Sequence, residues 1–423
     1  MAKQQMITAP RGTQDVLPAD SYKWQYVEER LMELASRYGF KETRFPTFED
    51  TALFARGVGD TTDVVQKEMY TFTDKGNRSL TLRPEGTAGV VRSVLEHGLL
   101  NAPMPLKVCY LINCFRYEKP QAGRYREFKQ FGAEMFGSQS PAADAELISF
   151  INSIFDSFGV EDISLEINSI GCPKCRPQYF EKLKAYFEQY KEQLCPTCQE
   201  RLEKNPMRIL DCKSEICQGI AAGAPKGIDN LCDECSDHFE SVKSRLINMG
   251  IDFTVNPQIV RGLDYYTKTV FEFVSTNIGA QGTVCGGGRY DGLFETLGGN
   301  PTPAIGFAIG EQRLLAVLEN AGVFMGEEKM CDLYIASLGD EANKYSQVMA
   351  HRLRGEGLFV ETDVQGRGFN AQMKYANKIG AKYLVVLGDD EIANGAFKLK
   401  NMQTGEQFDA DEDTVFNLIS EGK

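Results

Sequence analysis

Three short stretches of this chain carry residue types whose spacing suits chemistry. The first, FRYEKPQAGRYREF at residues 115–128, puts Arg116, Lys119, Arg124 and Arg126 with Glu118 and Glu127 among aromatic rings. A guanidinium neutralises phosphate, a ring stacks on a base, and a carboxylate accepts an exocyclic amine. The combination points to a nucleotide phosphate. If the stretch closes a hairpin, Arg116 and Glu118 share one strand face, while Arg124, Arg126 and Phe128 alternate on the other strand. A solvated hairpin with exchangeable surface charges is the plain alternative.

The second stretch is a run of cysteines. Cys172-x2-Cys175, Cys195-x2-Cys198 and Cys232-x2-Cys235 have the spacing of zinc knuckles, and Cys212-x4-Cys217 adds a further pair. Cys195, Cys198, Cys212 and Cys217 are locally closable as one S4 site, which leaves Cys172, Cys175, Cys232 and Cys235 to join the ends of the run. Four thiolates leave no open coordination position, so any Zn²⁺ is structural; reduced free thiols are the other reading. The third stretch is cationic: Lys374, Lys378 and Lys382 recur at i, i+4 and i+8 behind Arg367, and no acid interrupts residues 364–388. Such a stripe is either a solvated helix face or a nucleic-acid contact.

These stretches need elements to hold them. Trp24, Val27, Leu31, Leu34 and Tyr38 predict a helix over 21–38, stopped by Gly39. KETRFPTFED reads as a strand running into Pro46, which lacks an N–H for a ladder and so belongs at an edge or interface. SLTLRPEGTAGVVRSVLEHGLL reads as strand, turn through Glu85, Gly86 and Thr87, then helix. PLKVCYLINCFRYE and REFKQFGAEMFG form the arms of the hairpin. Helical periodicity covers 177–190 and 239–249, and TVFEFVS and QGTVCGGGRYDG are strands. From Asp332 strands and helices alternate, with helices over 345–354 and 371–379, as in a separate three-layer α/β domain. GGGRYDG lacks the spacing and following helix of a dinucleotide fingerprint.

The 423 residues carry 46 basic and 59 acidic side chains, a net charge of −13, so a polyanion is held only through local basic patches. No apolar run is long enough to span a bilayer, and the first residues lack the apolar core of a signal peptide. The chain therefore reads as cytoplasmic, with no membrane partner, and twelve cysteines in that setting suggest thiols or metal ligands.

FRYE with GRYREFKQFGAE resembles motif 2 of the class II aminoacyl-tRNA synthetases, and AIGFAIGEQRLL is similar to their motif 3. RGLDYYTKTVFEF, at 261–273, resembles the segment specific to the histidyl-tRNA synthetases, as do LRPEGT, VCGGGRYDGL and PRGTQDVLP, in order. The resemblance implies an α+β fold: a class II antiparallel sheet flanked by helices over 1–170 and 246–325, a Cys-rich, largely helical insertion over 171–245, and an α/β anticodon-binding domain over 330–423. It implies activation of L-histidine with ATP and Mg²⁺, transfer to the 3′ end of tRNA(His), and a homodimer, through the likeness of the first helix and the Pro46 strand to motif 1.

By the same resemblance Arg116 grips the α-phosphate, Glu118 the adenine amine, Phe128 stacks on the base, and Arg124 and Arg313 hold the outer phosphates. Arg261, with Arg116 the implied catalytic pair, contacts both the α-phosphate and the histidine carboxylate; a salt bridge to Asp264 is its structural alternative. Glu134 and Tyr266, with Tyr265 and Tyr290 near, would read the imidazole, and Glu85, Thr87 and Gln130 the α-amino group. Lys119, Gln121 and Arg126 would meet the first bases of the tRNA, including the extra 5′ guanosine typical of tRNA(His), while Arg367, Lys374 and Lys378 would meet the anticodon. Two positions depart from the pattern: Gln312 stands where motif 3 usually has Glu, and Lys268 where a small or neutral residue is common. A silent paralogue that regulates ATP phosphoribosyltransferase is the rival, though it should lack these arginines and the last domain.

Overall fold

The computed structural model describes residues 6–59, 62–120, 123–212, 214–277 and 282–421. The chain forms two compact units, Met1–Gly326 and Glu327–Lys423.

The first unit is built on an eight-stranded sheet. Its strands run in the order Lys41–Glu42, Leu106–Phe115, Glu127–Phe136, Ala304–Gly310, Thr283–Arg289, Thr267–Ser275, Ile163–Ser169, Thr254–Val255. The interior pairs are antiparallel, and only the two-residue strands at either edge pair in parallel. Successive side chains of a strand point to opposite faces. Phe131, Ala133 and Met135, with Ile305, Phe307, Ile309, Phe271 and Phe273, therefore pack as one face against helical residues such as Leu31, Leu147, Ile151 and Leu314. Phe128, Gln130, Gly132 and Glu134 fall on the other face. Part of that face is closed by the helix Thr87–Glu96, whose Val90, Val91 and Val94 cover Tyr110 and Ile112.

The first helix runs Pro18–Arg37, beginning earlier than its apolar spacing suggests because Pro18 supplies a preset φ at the first turn. The segment around Pro46 is not one strand. It splits into Lys41–Glu42, on the edge of the large sheet, and Phe48–Asp50, in a separate three-stranded sheet with Thr71–Thr73 and Ser79–Leu82. Pro46 lies in the link, where its carbonyl accepts from Arg83 Nη1 at 3.1 Å. The hairpin arms end at Phe115 and restart at Glu127, so residues 116–120 and 123–126 lie outside the strands. Arg116 and Glu118 thus come together through a turn, with Glu118 N donating to Arg116 O at 2.8 Å, and not through strand alternation.

Between the strands Ile163–Ser169 and Thr254–Val255 the chain is mostly helical: Arg176–Glu188, Pro196–Lys204, Glu215–Ala221 and Asp233–Asn248. Tyr179, Leu183, Phe187 and Leu202 form a small core that also takes in Ile259, Tyr266 and Val270. The helix Asp233–Asn248 instead gives Phe239, Val242 and Leu246 to the main core.

The second unit is a five-stranded sheet in the order Val360–Thr362, Leu333–Ser337, Tyr383–Leu387, Phe397–Asn401, Gln407–Ala410. Its first three strands are parallel and its last two antiparallel. Helices Asp340–Gly355 and Phe369–Lys378 join the parallel strands, as the alternating pattern predicts.

Candidate active site

The polar face of the large sheet, with the helix start that covers part of it, brings together Thr87, Tyr110, Glu134 and Tyr290 from separate stretches of the first unit. At its centre Glu134 is 1% exposed. Its Oε1 accepts from Tyr110 Oη at 2.9 Å and Thr87 Oγ1 at 3.0 Å, and its Oε2 accepts from Tyr290 Oη. Burial pushes the Glu134 carboxyl up to about 8, against the pull of the Tyr290, Tyr110 and Thr87 hydroxyls. The carboxyl needs space as well as donors. Gly306 sits opposite it in the ladder, and a Cβ there would lie 1.5 Å from Oε2.

Glu85 occupies the start of the helix Thr87–Glu96, where Thr87 N and Ala88 N each donate to its carboxylate at 2.8 Å. Burial raises its pKa, and those two amides oppose the rise. Glu85 and Glu134 thus bracket Thr87, which offers its backbone to one and its hydroxyl to the other. Tyr265 lies between Tyr266 and Tyr290, with ring centroids 4.7 and 5.4 Å away. Gln130 shares the strand face with Glu134 and accepts weakly from Cys114 Sγ.

Arg261 pairs with Glu272 through Nη1 and lies 5.7 Å from the Tyr266 ring. Burial disfavours its charge, but Glu272 and Tyr266 outweigh that and hold its pKa above the ordinary arginine value. The Asp264 pairing is not the one formed: Asp264 takes Arg208 Nη2 at 3.1 Å. Gly286, opposite Glu272, leaves the room Arg261 fills, since a Cβ there would meet the guanidinium at 2.2 Å. Gly286 therefore serves close approach of a side chain, and Gly287 and Gly288 close approach of the neighbouring strands, where a Cβ would meet Gly306 O at 2.3 Å and Thr269 O at 2.6 Å, within a strand and not a phosphate loop.

The remaining arginines form a neighbouring group. Arg116 lies 5.4 Å from the Phe128 ring and donates from Nε to Pro84 O at 2.8 Å. Arg124 Nη1 reaches Glu118 at 2.9 Å. Arg313 donates to the backbone carbonyls of Gly123 and Thr283. Its pKa is lowered first by burial, then by Arg124, with Arg116 adding; Glu118 and Glu272 oppose. Glu118, shared by Arg116 and Arg124, and the Gly123 carbonyl, which takes Arg313 next to Arg124 in the chain, join the three arginines. Thr283 ties this group to Arg261, because its carbonyl takes Arg313 while its hydroxyl donates to Glu272 at 2.7 Å. Gln312 accepts from Lys129 N at 3.0 Å through its side-chain oxygen, as a carboxylate would, so the amide keeps the acceptor role.

The cysteines form the two sets of four that the spacing suggests, Cys172, Cys175, Cys232, Cys235 and Cys195, Cys198, Cys212, Cys217, with sulphurs within 4.8 Å of one another in each set. All twelve cysteines are free. Beyond the strand ends Lys119 is exposed, Arg126 stacks on Tyr117 at 3.8 Å, and Gln121 lies outside the described residues. In the second unit Lys374 and Lys378 are exposed on the helix Phe369–Lys378, and Arg367 pairs with Asp363 and lies 4.2 Å from the Tyr375 ring. Lys382 departs from the stripe, since Asp332 holds it at 3.0 Å.

Sequence reasoning missed Glu272, Tyr110 and Thr283. Glu272 is the one acid in an otherwise apolar strand, TVFEFVS, a signal that could have found it. Tyr110 has no such mark within KVCYLINCF. It also missed the buried set behind Tyr290: Asp144 takes Arg289 Nη2 at 2.6 Å and His238 Nε2 at 3.1 Å.

An antiparallel sheet that bears arginines beside the buried carboxyls of Glu85 and Glu134, followed by a separate mixed α/β unit, is the architecture of a class II aminoacyl-tRNA synthetase. The family model described as histidyl-tRNA synthetase matches residues 12–175 and 180–314, and that of an anticodon binding domain matches 332–422. The histidine–tRNA ligase of Acetivibrio thermocellus is 58% identical over 411 residues, 97% of this chain and 99% of that one. That of Caldicellulosiruptor saccharolyticus is 53% identical over 95% of this chain and 96% of its own. The crystal structure of apo Staphylococcus aureus histidyl-tRNA synthetase superposes with a TM-score of 0.84 at 42% identity, covering 98% of this chain and all of that one. The chain belongs to the histidyl-tRNA synthetase family.

Proposed function

We infer that this chain is a histidine–tRNA ligase, which joins histidine to AMP with release of pyrophosphate and then passes histidine to the 3′ end of tRNA(His). The observation that carries this reading is the grouping of Arg116 and Arg124 on one acid, Glu118, with Arg313 on the Gly123 carbonyl beside Arg124, on the same sheet as a buried acid, Glu134, that holds three hydroxyls.

In the first step a histidine carboxylate oxygen attacks the α-phosphorus of ATP, which enters as its Mg²⁺ complex, and the bond to pyrophosphate breaks. Two anions must meet, so fixed cations matched to the transition state are what the step requires. Arg116 takes the α-phosphate and Arg261 bridges it to the carboxylate. Arg124 and Arg313 hold the outer phosphates, Glu118 takes the adenine amine, and Phe128 stacks on the base. In the second step a terminal ribose hydroxyl of the tRNA attacks the acyl carbon and AMP leaves.

Glu134 and Tyr266, with Tyr265 and Tyr290, read the ring nitrogens, and Glu85, Thr87 and Gln130 take the ammonium. Glu85 suits this task because burial in front of a helix start keeps it beside Thr87. A pocket built to satisfy a polar ring rejects analogues that leave its own groups unpaired. Lys119, Gln121 and Arg126 face the acceptor end of the tRNA, and Arg367, Lys374 and Lys378 its anticodon. The domain division is 1–170 with 246–325, 171–245, and 330–423. The enzyme works in the cytoplasm as a homodimer joined through its first helix and the small three-stranded sheet, where Phe48 and Phe72 are exposed. Each S4 cluster suits one structural Zn²⁺, since four sulphurs close the coordination shell.

No helix among the described residues is long and apolar enough to cross a membrane. The test is amino-acid-dependent exchange of pyrophosphate into ATP with each of the twenty amino acids. Histidine alone should support exchange; exchange with none, or with another, overturns the reading.

A further inference from the structure

Lys268 has no part in the reaction, yet its backbone is unusual. Its φ is +52°, in the left-handed region that a residue with a long side chain seldom adopts. Such a conformation persists only where its surroundings over-determine it. Those surroundings are the loops that carry Cys172, Cys175, Cys232 and Cys235. Lys268 N donates to Gly171 O at 2.9 Å, and Ile170 N donates to Lys268 O at 2.9 Å. Thr267 Oγ1 donates to the same Gly171 carbonyl at 3.1 Å. Lys268 Nζ reaches Glu234 at 2.9 Å, and Arg176 Nη2 donates to Tyr266 O at 2.5 Å. Gly171, Arg176 and Glu234 are each the chain neighbour of one of the four cysteines.

The sulphurs themselves are spaced for one ion. Zn–S bonds of about 2.3 Å at tetrahedral angles place sulphurs about 3.8 Å apart. Here Cys172 and Cys175 are separated by 3.7 Å, Cys175 and Cys235 by 3.9 Å, and Cys172 and Cys232 by 3.9 Å. Cys172 N also points at Cys175 Sγ at 3.1 Å, a donor suited to a thiolate. Gly171 has φ +71°, and a Cβ there would lie 2.6 Å from Cys175 Sγ.

We propose that Cys172, Cys175, Cys232 and Cys235 bind one Zn²⁺ that clamps Tyr266, Thr267 and Lys268, and so sets the position of the segment bearing Arg261 and Tyr266. The four cysteines are positioning residues for histidine, a role that rests on the assignment of Tyr266 and Arg261 to the histidine site. Lys268 is then part of the clamp: its ammonium crosses to Glu234 on the helix that follows Cys232, fastening the strand to the far side of the metal loop. Metal binding displaces the thiol protons, and without it four sulphurs at these separations have only weak contacts to hold the loops.

The experiment uses the full chain. Wild type purified without chelator should contain about two zinc ions, and the C172S/C235S variant about one. Reconstitution of the stripped wild type with Co²⁺ should give thiolate-to-metal absorption that falls by about half in that variant. In pyrophosphate exchange the variant should raise KM for histidine about tenfold while KM for ATP stays within about twofold. R176A keeps all four thiols and decides the matter if C172S/C235S does not fold: metal content should be unchanged and histidine KM raised. Wild type without zinc and without cobalt–thiolate bands overturns the metal site. Metal bound but histidine and ATP constants moving together, or neither moving, overturns the clamp. Should wild type activate another amino acid, the proposed function falls, and the same split is then read with that amino acid.

Discussion

The two ends of the site are built in opposite ways. At the end proposed to take the imidazole, Glu134 sits on a strand, is 1% exposed, and takes three hydroxyl groups that also sit on or beside regular elements. At the end proposed to take the phosphates, Arg116 and Arg124 lie beyond the strand ends with side chains 21% and 31% exposed, and they share Glu118, while Arg116 also donates to the Pro84 carbonyl. Discrimination between amino acids needs a rigid, dry constellation that leaves its own groups unpaired with the wrong ligand. Binding of a flexible polyanion needs cations that can exchange a local partner for phosphate. Burial separates these tasks on one sheet face.

The largest effect should come from removing Arg261, which belongs to neither end and joins them. R261A should lower kcat for pyrophosphate exchange about 10²- to 10³-fold, as loss of a transition-state donor does, with the fold unchanged by circular dichroism. Next, G306A should sharpen the claim that the imidazole end has no slack. A Cβ 1.5 Å from Glu134 Oε2 forces the carboxyl or the strand to move, at a cost of about 1–3 kcal/mol in unfolding free energy, with histidine binding lost by calorimetry. R124A should be gentler and selective, raising KM for ATP about tenfold while KM for histidine holds. If R124A disturbs both constants equally, the two ends are not separately built.

A pH experiment separates the ends without touching the phosphate side. Glu134 has its folded pKa raised to about 8 by burial, well above an unfolded carboxyl. Between the two values the native state holds a proton that the unfolded state has lost, so stability is full below the unfolded pKa and falls as pH rises through about 8. Denaturation midpoints should decline from pH 5 to pH 9 in wild type and decline less in E134Q. Glu311, also raised to about 8 by burial and by its neighbour Glu28 against Lys129, keeps the E134Q slope from vanishing. The smallest effect on activation belongs to the second unit: K374A/K378A should leave pyrophosphate exchange unchanged, weaken tRNA binding, and reduce the salt slope by about one for each phosphate contact removed.

The elements of the site were legible where periodicity and spacing are strong. The two arms of the hairpin could be placed from their strand-like runs, and they pair antiparallel, but the alternation expected of Arg124, Arg126 and Phe128 fails because the second arm begins only at Glu127. The cysteine sets followed from ligand spacing alone. What was not legible depends on contacts far apart in sequence. Arg261 could not be paired with Glu272 in place of Asp264 without knowing that Gly286 leaves a gap between them. Pro46 split its segment between two sheets because tertiary pairing overrides a local strand pattern. Lys382 looked like the third member of a stripe until Asp332, fifty residues earlier in the chain, was seen to hold it.

Central to this account is the proposal that Glu134 and Tyr266 between them read both ring nitrogens of histidine. The direct measurement is kcat/KM for pyrophosphate exchange with histidine and with its two ring-N-methyl isomers. Both isomers should fall by about 10² or more, because each leaves a buried partner unpaired. An isomer activated as well as histidine would show that one nitrogen goes unread and would contradict the account.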